Sequence, residues 1–289
     1  MKQIDLNGKK SDLDSGQDRL LHFLYTTTAG RLLLKPLVTP WFSKAAGAFL
    51  STRFSCRLIE PFIGSNQIDM SQYEETTYRS FNDFFTRKIA PGARPLGGSE
   101  HTLISPCDGY ATVYEITDNS TFDVKHTEYT LRSLLRSRRL AERFQGGCAL
   151  ILRLTVSDYH RYGYAASGRQ SKNYAIPGFF HTVNPVANDC LPVYKENTRE
   201  YTVIHSPVFG EVLQMEVGAL MVGKIVNHKE SCPVVRGEEK GFFEFGGSTI
   251  LLLLQKDAAK IRSDLWANTL SGYETQVRFG EALTERTDT

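Results

Sequence analysis

From about residue 100 onward the chain is written as short β-like runs, and this constrains its fold more than any other feature. The runs are ATVYEI (111–116), CALILRL (148–154), EVLQMEV (211–217), GALMVGKIV (218–226) and STILLLL (248–254). Turn formers punctuate them: Pro106, Gly109, Pro177-Gly178, Asn184-Pro185, Gly210, Gly237, Gly241 and Gly246-Gly247. Apolar runs of this length between glycines, prolines and asparagines read as strands. One helical insertion is expected near Leu131 to Phe144. The fold class expected is α+β: a mainly antiparallel β-rich domain over 91–289, on which a helical N-terminal region, 1–90, packs. With 289 residues the chain has room for about two ordinary domains, yet no stretch rich in Pro, Gly or Ser separates two independent units.

Charge sets the N-terminal region apart. Between Arg19 and Ile59 there is no Asp or Glu, while Arg19, Arg31, Lys35, Lys44, Arg53 and Arg57 alternate with leucines, phenylalanines and Trp41. The stretch is helix-compatible, with Pro36 and Pro40 as breaks. A basic, aromatic, amphipathic segment suits an anionic membrane surface; a helical cap with its lysines and arginines in water is the plainer alternative. No uncharged apolar run approaches the roughly 18 residues a membrane span needs, and the polar first residues do not read as a secretory signal. Overall, 34 basic against 32 acidic residues leave a net charge of +2, which excludes a nucleic-acid binder built on bulk charge. The five cysteines are scattered without zinc-like spacing, which suits a reducing compartment and no metal site. In SFNDFFTRKI (80–89), Phe81, Phe84, Phe85 and Ile89 fall at helical spacing before Pro91-Gly92. The basic residues of Thr86-Arg87-Lys88 face either phosphate or solvent.

The chemistry-bearing residues are few. Gly246-Gly247-Ser248-Thr249 sits between FFEF and ILLLL. A glycine pair inside a β pattern marks a bulge, a bend or close backbone approach, and a β-bulge is the plain reading. A Gly-Ser bond in a strained turn can also be attacked by its own hydroxyl, because glycine leaves the carbonyl open. Such an attack needs a base and a group that orients the base. Of seven histidines, His160 in SDYHRYGY and His181 in IPGFFHTVNP have distinctive surroundings, and Asp108 lies in the turn SPCDGY. Each has an ordinary structural reading when taken alone.

Their combination is specific. SFNDFFTRKIAPGARP, SPCDGYATV, SDYHRYGY, PGFFHTVNP, KENTREY, MEVGALMVGKIV and RGEEKGFFEFGGSTI occur in that order. From about residue 74 to residue 283 the chain resembles the phosphatidylserine decarboxylase family, in its longer bacterial branch. The resemblance implies self-cleavage between Gly247 and Ser248. Residues 1–247 would become the β chain and 248–289 the α chain, headed by a pyruvoyl group made from Ser248. It also implies a processing set of Asp108, a histidine and Ser248. The family commonly writes its histidine block as YHRxH; this chain has Tyr159-His160-Arg161-Tyr162-Gly163, so its second histidine is replaced by Gly163. The base is then His160, with His181 as the alternative.

The activity implied is conversion of phosphatidylserine to phosphatidylethanolamine and CO2 through a Schiff base on the pyruvoyl group. His160 would transfer the proton, and the aromatics of 242–245 or 179–180 would exclude water. The partners implied are phosphatidylserine in an anionic membrane and the α and β chains of one precursor, with a homodimer open; no nucleic acid is expected. The location implied is peripheral, on the cytoplasmic face of the cell membrane. Two other classes make different predictions. A decayed, unprocessed relative would act as a membrane-binding module. A hydrolase using Asp108, His160 and Ser248 would keep an intact chain, but no GxSxG elbow is present.

Overall fold

A computed structural model describes residues 2–12, 22–124, 127–183, 192–219, 224–246 and 248–285. Sixteen strands are present among them. In the first half they are β1 (Lys2–Ile4), β2 (Lys10–Asp12), β3 (Gly109–Glu115), β4 (Thr121–Val124), β5 (Thr127–Thr130), β6 (Cys148–Leu154), β7 (Arg161–Gly163) and β8 (Gly168–Gln170). The second half adds β9 (Tyr174–Ile176), β10 (Arg199–Ser206), β11 (Gly210–Gly218), β12 (Ile225–Asn227), β13 (Pro233–Val234), β14 (Glu239–Phe243), β15 (Ser248–Leu254) and β16 (Glu274–Val277).

Eleven of these strands form one sheet in the order β13-β8-β10-β11-β15-β6-β3-β16-β1-β2, with β9 also on β10. Its pairs are antiparallel apart from β1 on β16. A smaller sheet, β12-β14-β7, lies apart from it, and β4 pairs with β5. β15 is central: STILLLL is buried at every residue. A strand covered on both faces reads as an unbroken apolar run, whereas a half-exposed strand alternates. Its first residue, Ser248, stands between Gly218 of β11 and Leu154 of β6.

The chain changes sheet immediately before that residue. β14 belongs to the small sheet and β15 to the large one, so the chain turns a corner between two sheets after Phe243, with residues 244–246 on its near side. Gly246 takes φ 140°, in the positive region that favours glycine. Gly247 itself lies outside the described residues. Of the bulge, bend or close approach that a glycine pair can mark, the bend fits, because residues on its two sides pair in different sheets.

The N-terminal region supplies helices Thr28–Leu37, Pro40–Leu50, Ile59–Asn66 and Phe81–Phe85, with a 3-10 segment Arg53–Leu58. Thr27 caps the first through Gly30 N, 3.0 Å away. Pro36 sits one residue from its end, and Pro40 starts the next helix, where its missing N–H costs nothing. Leu50, Ile59, Phe81, Phe84 and Phe85 form a second small core, and Phe245 from the corner packs into it. Polar contacts fasten the layers: Phe180 N donates to Val38 O at 3.1 Å, Phe245 N to Asn82 Oδ1 at 3.1 Å, and Arg161 Nε to Thr86 O at 2.6 Å.

Three expectations change. The first residues, within the stretch expected to be helical, instead add β1 and β2 to the large sheet. The Phe81 helix stops at Phe85 and does not reach Ile89, which bridges to Tyr73; Arg87 turns inward directly after the helix and is buried. The insertion near 131–144 is two short helices, Leu131–Leu135 and Arg138–Glu142. Among the described residues no helix is long and apolar enough to cross a membrane.

Candidate active site

Ser248 is fully buried at the head of β15, and its Oγ has no hydrogen-bond partner. His160 is also fully buried, in the segment between β6 and β7. Its main chain is fixed by Phe243 N, which donates to His160 O at 2.9 Å, so the end of β14 is tied to the histidine. The ring lies 4.0 Å from that of Phe85, centroid to centroid, and Phe85 meets Phe245 edge-on at 4.9 Å. Nδ1 is 2.9 Å from Asp158 O. A carbonyl only accepts, so Nδ1 carries the proton and Nε2 presents a lone pair. Among the described residues Nε2 has no hydrogen-bond partner, although a Gly246 backbone group acts on the ring and favours its protonated form. A buried hydroxyl at the head of β15 and a buried imidazole tied to the end of β14 are thus both without a hydrogen-bond partner among the described residues.

Burial, more than any charge, pushes the His160 pKa down to about 3, and the Arg87 cation adds to the shift. The ring is neutral at physiological pH and able to accept a proton. Asp158 shows the opposite effect. Its Oδ2 accepts from Thr155 N at 2.6 Å and Thr155 Oγ1 at 2.8 Å, yet burial dominates and raises its pKa to about 6.

The two groups impose opposed pH dependences. His160 binds a proton in the unfolded chain near pH 6.5 but not in the folded chain until about 3, so its contribution to stability is lost as pH falls through that window. Asp158 binds a proton in the folded chain at about 6 and in the unfolded chain only near 3.8, so its contribution is present at low pH and lost as pH rises through 6. Between these limits they partly cancel. Asp158→Asn removes the compensation, and its urea midpoint is expected to fall more steeply than the parent's from pH 6 to pH 4. The limiting slope per uncompensated proton is about 1.4 kcal/mol per pH unit.

The other expected site residues lie elsewhere. Asp108 is gripped by Arg94, with Nε 3.1 Å from Oδ1 and Nη2 2.7 Å from Oδ2, and accepts from Phe279 N at 2.7 Å. Neither ring nitrogen of His160 bonds to it, so Asp108, His160 and Ser248 do not form a hydrogen-bonded triad in the uncleaved chain. Gly109, at φ 149°, lets that turn press on β6, where a Cβ would come within 2.5 Å of Arg153 O. Gly163 is next to this arrangement. A Cβ there would meet the Phe279 ring at 2.7 Å, so the place of a side chain at 163 is filled by the residue whose N–H holds Asp108. His181 stands apart from His160: its Nδ1 is 3.3 Å from Tyr25 Oη, and Asn197 links its carbonyl (2.7 Å) to that of Gly218 (2.8 Å), the residue opposite Ser248.

The sequence also hid an ion pair. Lys240 of β14 bonds Glu216 of β11 at 2.7 Å, with both side chains essentially unexposed, and Lys240 also donates to Asn227 Oδ1 at 2.6 Å. It ties the strand entering the corner to the neighbour of the strand leaving it. Removing one partner strands a buried charge, so Lys240→Met is expected to lower the unfolding free energy by about 3–5 kcal/mol. In urea denaturation the Lys240→Met/Glu216→Leu double variant should recover most of that loss.

The model of the family described as phosphatidylserine decarboxylase matches residues 81–285. The chain belongs to the phosphatidylserine decarboxylase family. It is 44% identical over 269 residues to "phosphatidylserine decarboxylase proenzyme 2" of Clostridium acetobutylicum, covering 93% of this chain and 92% of the relative. It is 37% identical over 286 residues to the proenzyme of Clostridium botulinum strain Hall, covering 96% and 97%. It is 39% identical over 271 residues to that of Clostridium perfringens, covering 92% of each. These relatives are named as proenzymes, so the family is one in which a precursor matures.

Proposed function

We propose that this chain is the precursor of a phosphatidylserine decarboxylase that forms phosphatidylethanolamine and CO2, and that it cuts itself between Gly247 and Ser248. What supports the reading is two buried atoms without a hydrogen-bond partner among the described residues: Ser248 Oγ at the head of β15, and His160 Nε2, on whose ring the backbone of Gly246, at positive φ, acts. His160 Nε2 takes the hydroxyl proton of Ser248. Oγ then bonds to the Gly247 carbonyl carbon and the Gly247–Ser248 amide bond breaks, giving an ester. A base removes the Cα proton of residue 248, and Gly247 leaves as a carboxylate carrying Oγ. Water replaces the nitrogen left at 248, ammonia departs, and the α chain, 248–289, begins with a pyruvoyl group. No external oxidant or reductant is required.

The position fits that group, since Ser248 is fully buried at the head of a central strand whose every residue is buried. The pyruvoyl ketone supplies the sink for the electron pair left when CO2 departs. His160, neutral and held at Nδ1 by the Asp158 carbonyl, is the group that moves the proton. A hydrolase reading fares worse, because Ser248 is wholly buried at the head of a central strand, where an external ester has no route to Oγ. Intact-mass measurement tests the proposal. Two chains are expected, the smaller one lighter by one ammonia than a Ser-headed 248–289. A single full-length chain in freshly purified, folded protein would overturn it.

The N-terminal helices are proposed to attach the enzyme to an anionic bilayer, placing it peripherally on the cytoplasmic face. Leu32, Leu33, Trp41, Phe49 and Phe54 are exposed on the stretch that lacks carboxylates, Trp41 by 76%. Behind them an apolar cavity of about 580 Å³, lined by Phe49, Leu50, Phe62, Phe81 and Phe245, runs from this face to the corner. Aromatic and aliphatic side chains beside cations favour the interface. Trp41→Ser/Phe54→Ser is expected to reduce flotation with phosphatidylserine-containing vesicles at least tenfold, a loss of about 1.4 kcal/mol or more. Unchanged flotation would remove these helices from the membrane contact.

A further inference from the structure

Arg87 is unusual for a buried arginine. It is 2% exposed and, among the described residues, has no carboxylate partner. Its Nη2 donates to Ser157 O at 3.0 Å, to Tyr73 Oη at 3.2 Å and, more loosely, to Asp158 O at 3.4 Å. The single hydrogen on Nε and the two on Nη1 have no acceptor, though both nitrogens are buried. The Tyr73 and Phe84 rings flank the guanidinium at 4.2 and 4.9 Å, which offsets only part of the desolvation of a full charge. Tyr78, whose buried hydroxyl is also unpartnered, meets the same Phe84 ring at 5.4 Å. A buried cation beside an unfilled hydroxyl lacks one thing, an oxyanion.

The location says which reaction this concerns. Arg87 and His160 converge on a single carbonyl, that of Asp158, at 3.4 and 2.9 Å. The charge of Arg87 is felt at His160, where it opposes protonation. Tyr73, Ser157 and Asp158, which hold the guanidinium, also line a polar cavity of about 170 Å³. The apolar cavity lined by Phe81 and Phe245 borders the aromatic cluster that also holds Phe84. Arg87 lines neither cavity, but it touches the Phe84 ring of that cluster and bonds Tyr73 and Ser157 of the polar one.

We propose that Arg87 is the oxyanion anchor of the mature site and takes the phosphodiester of the serine head group. The inference rests on the decarboxylase reading above and names the group of the substrate that is held. The head group has two anions, and only one suits a fixed cation. Pairing the carboxylate would stabilise the charge that must be lost as CO2 forms, favouring the ground state over the transition state. The phosphodiester keeps its charge throughout, so binding it positions the substrate without opposing the reaction. In the uncleaved chain the site is closed over Ser248. Cutting after Gly247 frees the corner, and the same cut creates a second candidate anion, the Gly247 carboxylate.

The test uses the processed two-chain protein, Arg87→Gln and Arg87→Lys, with soluble glycerophosphoserine and free serine as substrates. Adduct formation with hydroxylamine, read by mass, first shows that the pyruvoyl group is present; its absence from the parent protein would sink the decarboxylase reading, not the anchor. With the group present, the parent is expected to prefer glycerophosphoserine to serine by at least a hundredfold in kcat/KM. Arg87→Gln should reduce that preference at least thirtyfold, mainly through KM, and Arg87→Lys should restore part of it. Calorimetric binding of glycerophosphoethanolamine should weaken in parallel. An unchanged preference, with both substrates slowed alike, would overturn the proposal and assign Arg87 to the Gly247 carboxylate or to holding the 155–158 segment. Should Arg87→Gln fail to fold, Arg87→Lys alone decides: a preference equal to the parent's, with a point charge in place of the planar fork, would equally overturn it.

Discussion

Replacing Ser248 with alanine is expected to leave the 289-residue chain whole and to abolish decarboxylation. Alanine has no Oγ, so no ester forms at Gly247 and no ketone heads β15. The loss should be at least about a millionfold, since enzymes of this kind supply accelerations of that order and the variant lacks the reacting group altogether. Folding should be spared. The Ser248 hydroxyl is buried without a partner, so its removal takes away an unsatisfied polar group and no hydrogen bond. The stability change is expected to be small, within about 1–2 kcal/mol and in the favourable direction. Intact mass, thermal melting and release of CO2 from mixed micelles give three independent readings. An inactive but fully cleaved Ser248→Ala protein would place the cut elsewhere and end the proposed chemistry.

The second large effect is at His160. His160→Asn keeps a planar polar group but removes the titrating base, and self-cleavage should slow by about 10²–10⁴-fold, the usual contribution of a positioned base. Because the buried ring resists protonation until about pH 3, cleavage by the parent chain should show no loss of rate as pH is lowered from 7.5 to 5.5. An exposed histidine would lose most of its base form over that range. His181→Gln serves as the control. Among the described residues His181 hydrogen-bonds to Tyr25 and Asn197 and not to His160 or Ser248, so cleavage should proceed close to the parent rate. Reversal of the two outcomes would transfer the role of base to His181. Both rates are read by following the uncleaved chain after synthesis in a cell-free system.

Local pattern made much of this architecture readable in advance. CALILRL and STILLLL are β6 and β15 at the residues expected, because continuous apolar runs between turns leave a buried strand little choice. The change of sheet between β14 and β15 was not readable, since nothing in EKGFFEFGGST says that Phe243 and Ser248 pair with different partners. Ser248, His160 and Asp108 could be picked out by motif, but their mutual geometry could not. Asp108 faces Arg94 and Phe279, whereas Asp158, two residues before the histidine, orients His160 through its main-chain carbonyl. A main-chain carbonyl leaves no signature in side-chain identity. Arg87 was visible only as one of three residues in Thr86-Arg87-Lys88, and its lack of a counter-ion is a property of its surroundings.

The corner between the two sheets also bears on when the enzyme can become active. The proposed cut severs the link between layers but breaks no rung of the ladder on either side of β15, which stays paired to β11 and β6 along its whole length. The 248–289 piece would carry β15 and β16 and so remain woven into the large sheet. On the proposed chemistry the reactive group would arise only after that weave is complete, because until then Ser248 lacks its buried setting between β11 and β6. The ketone would then act as a certificate of correct folding, issued once per molecule. A mature enzyme that later unfolds has no means of earning a second, since the bond whose rearrangement made the group no longer exists.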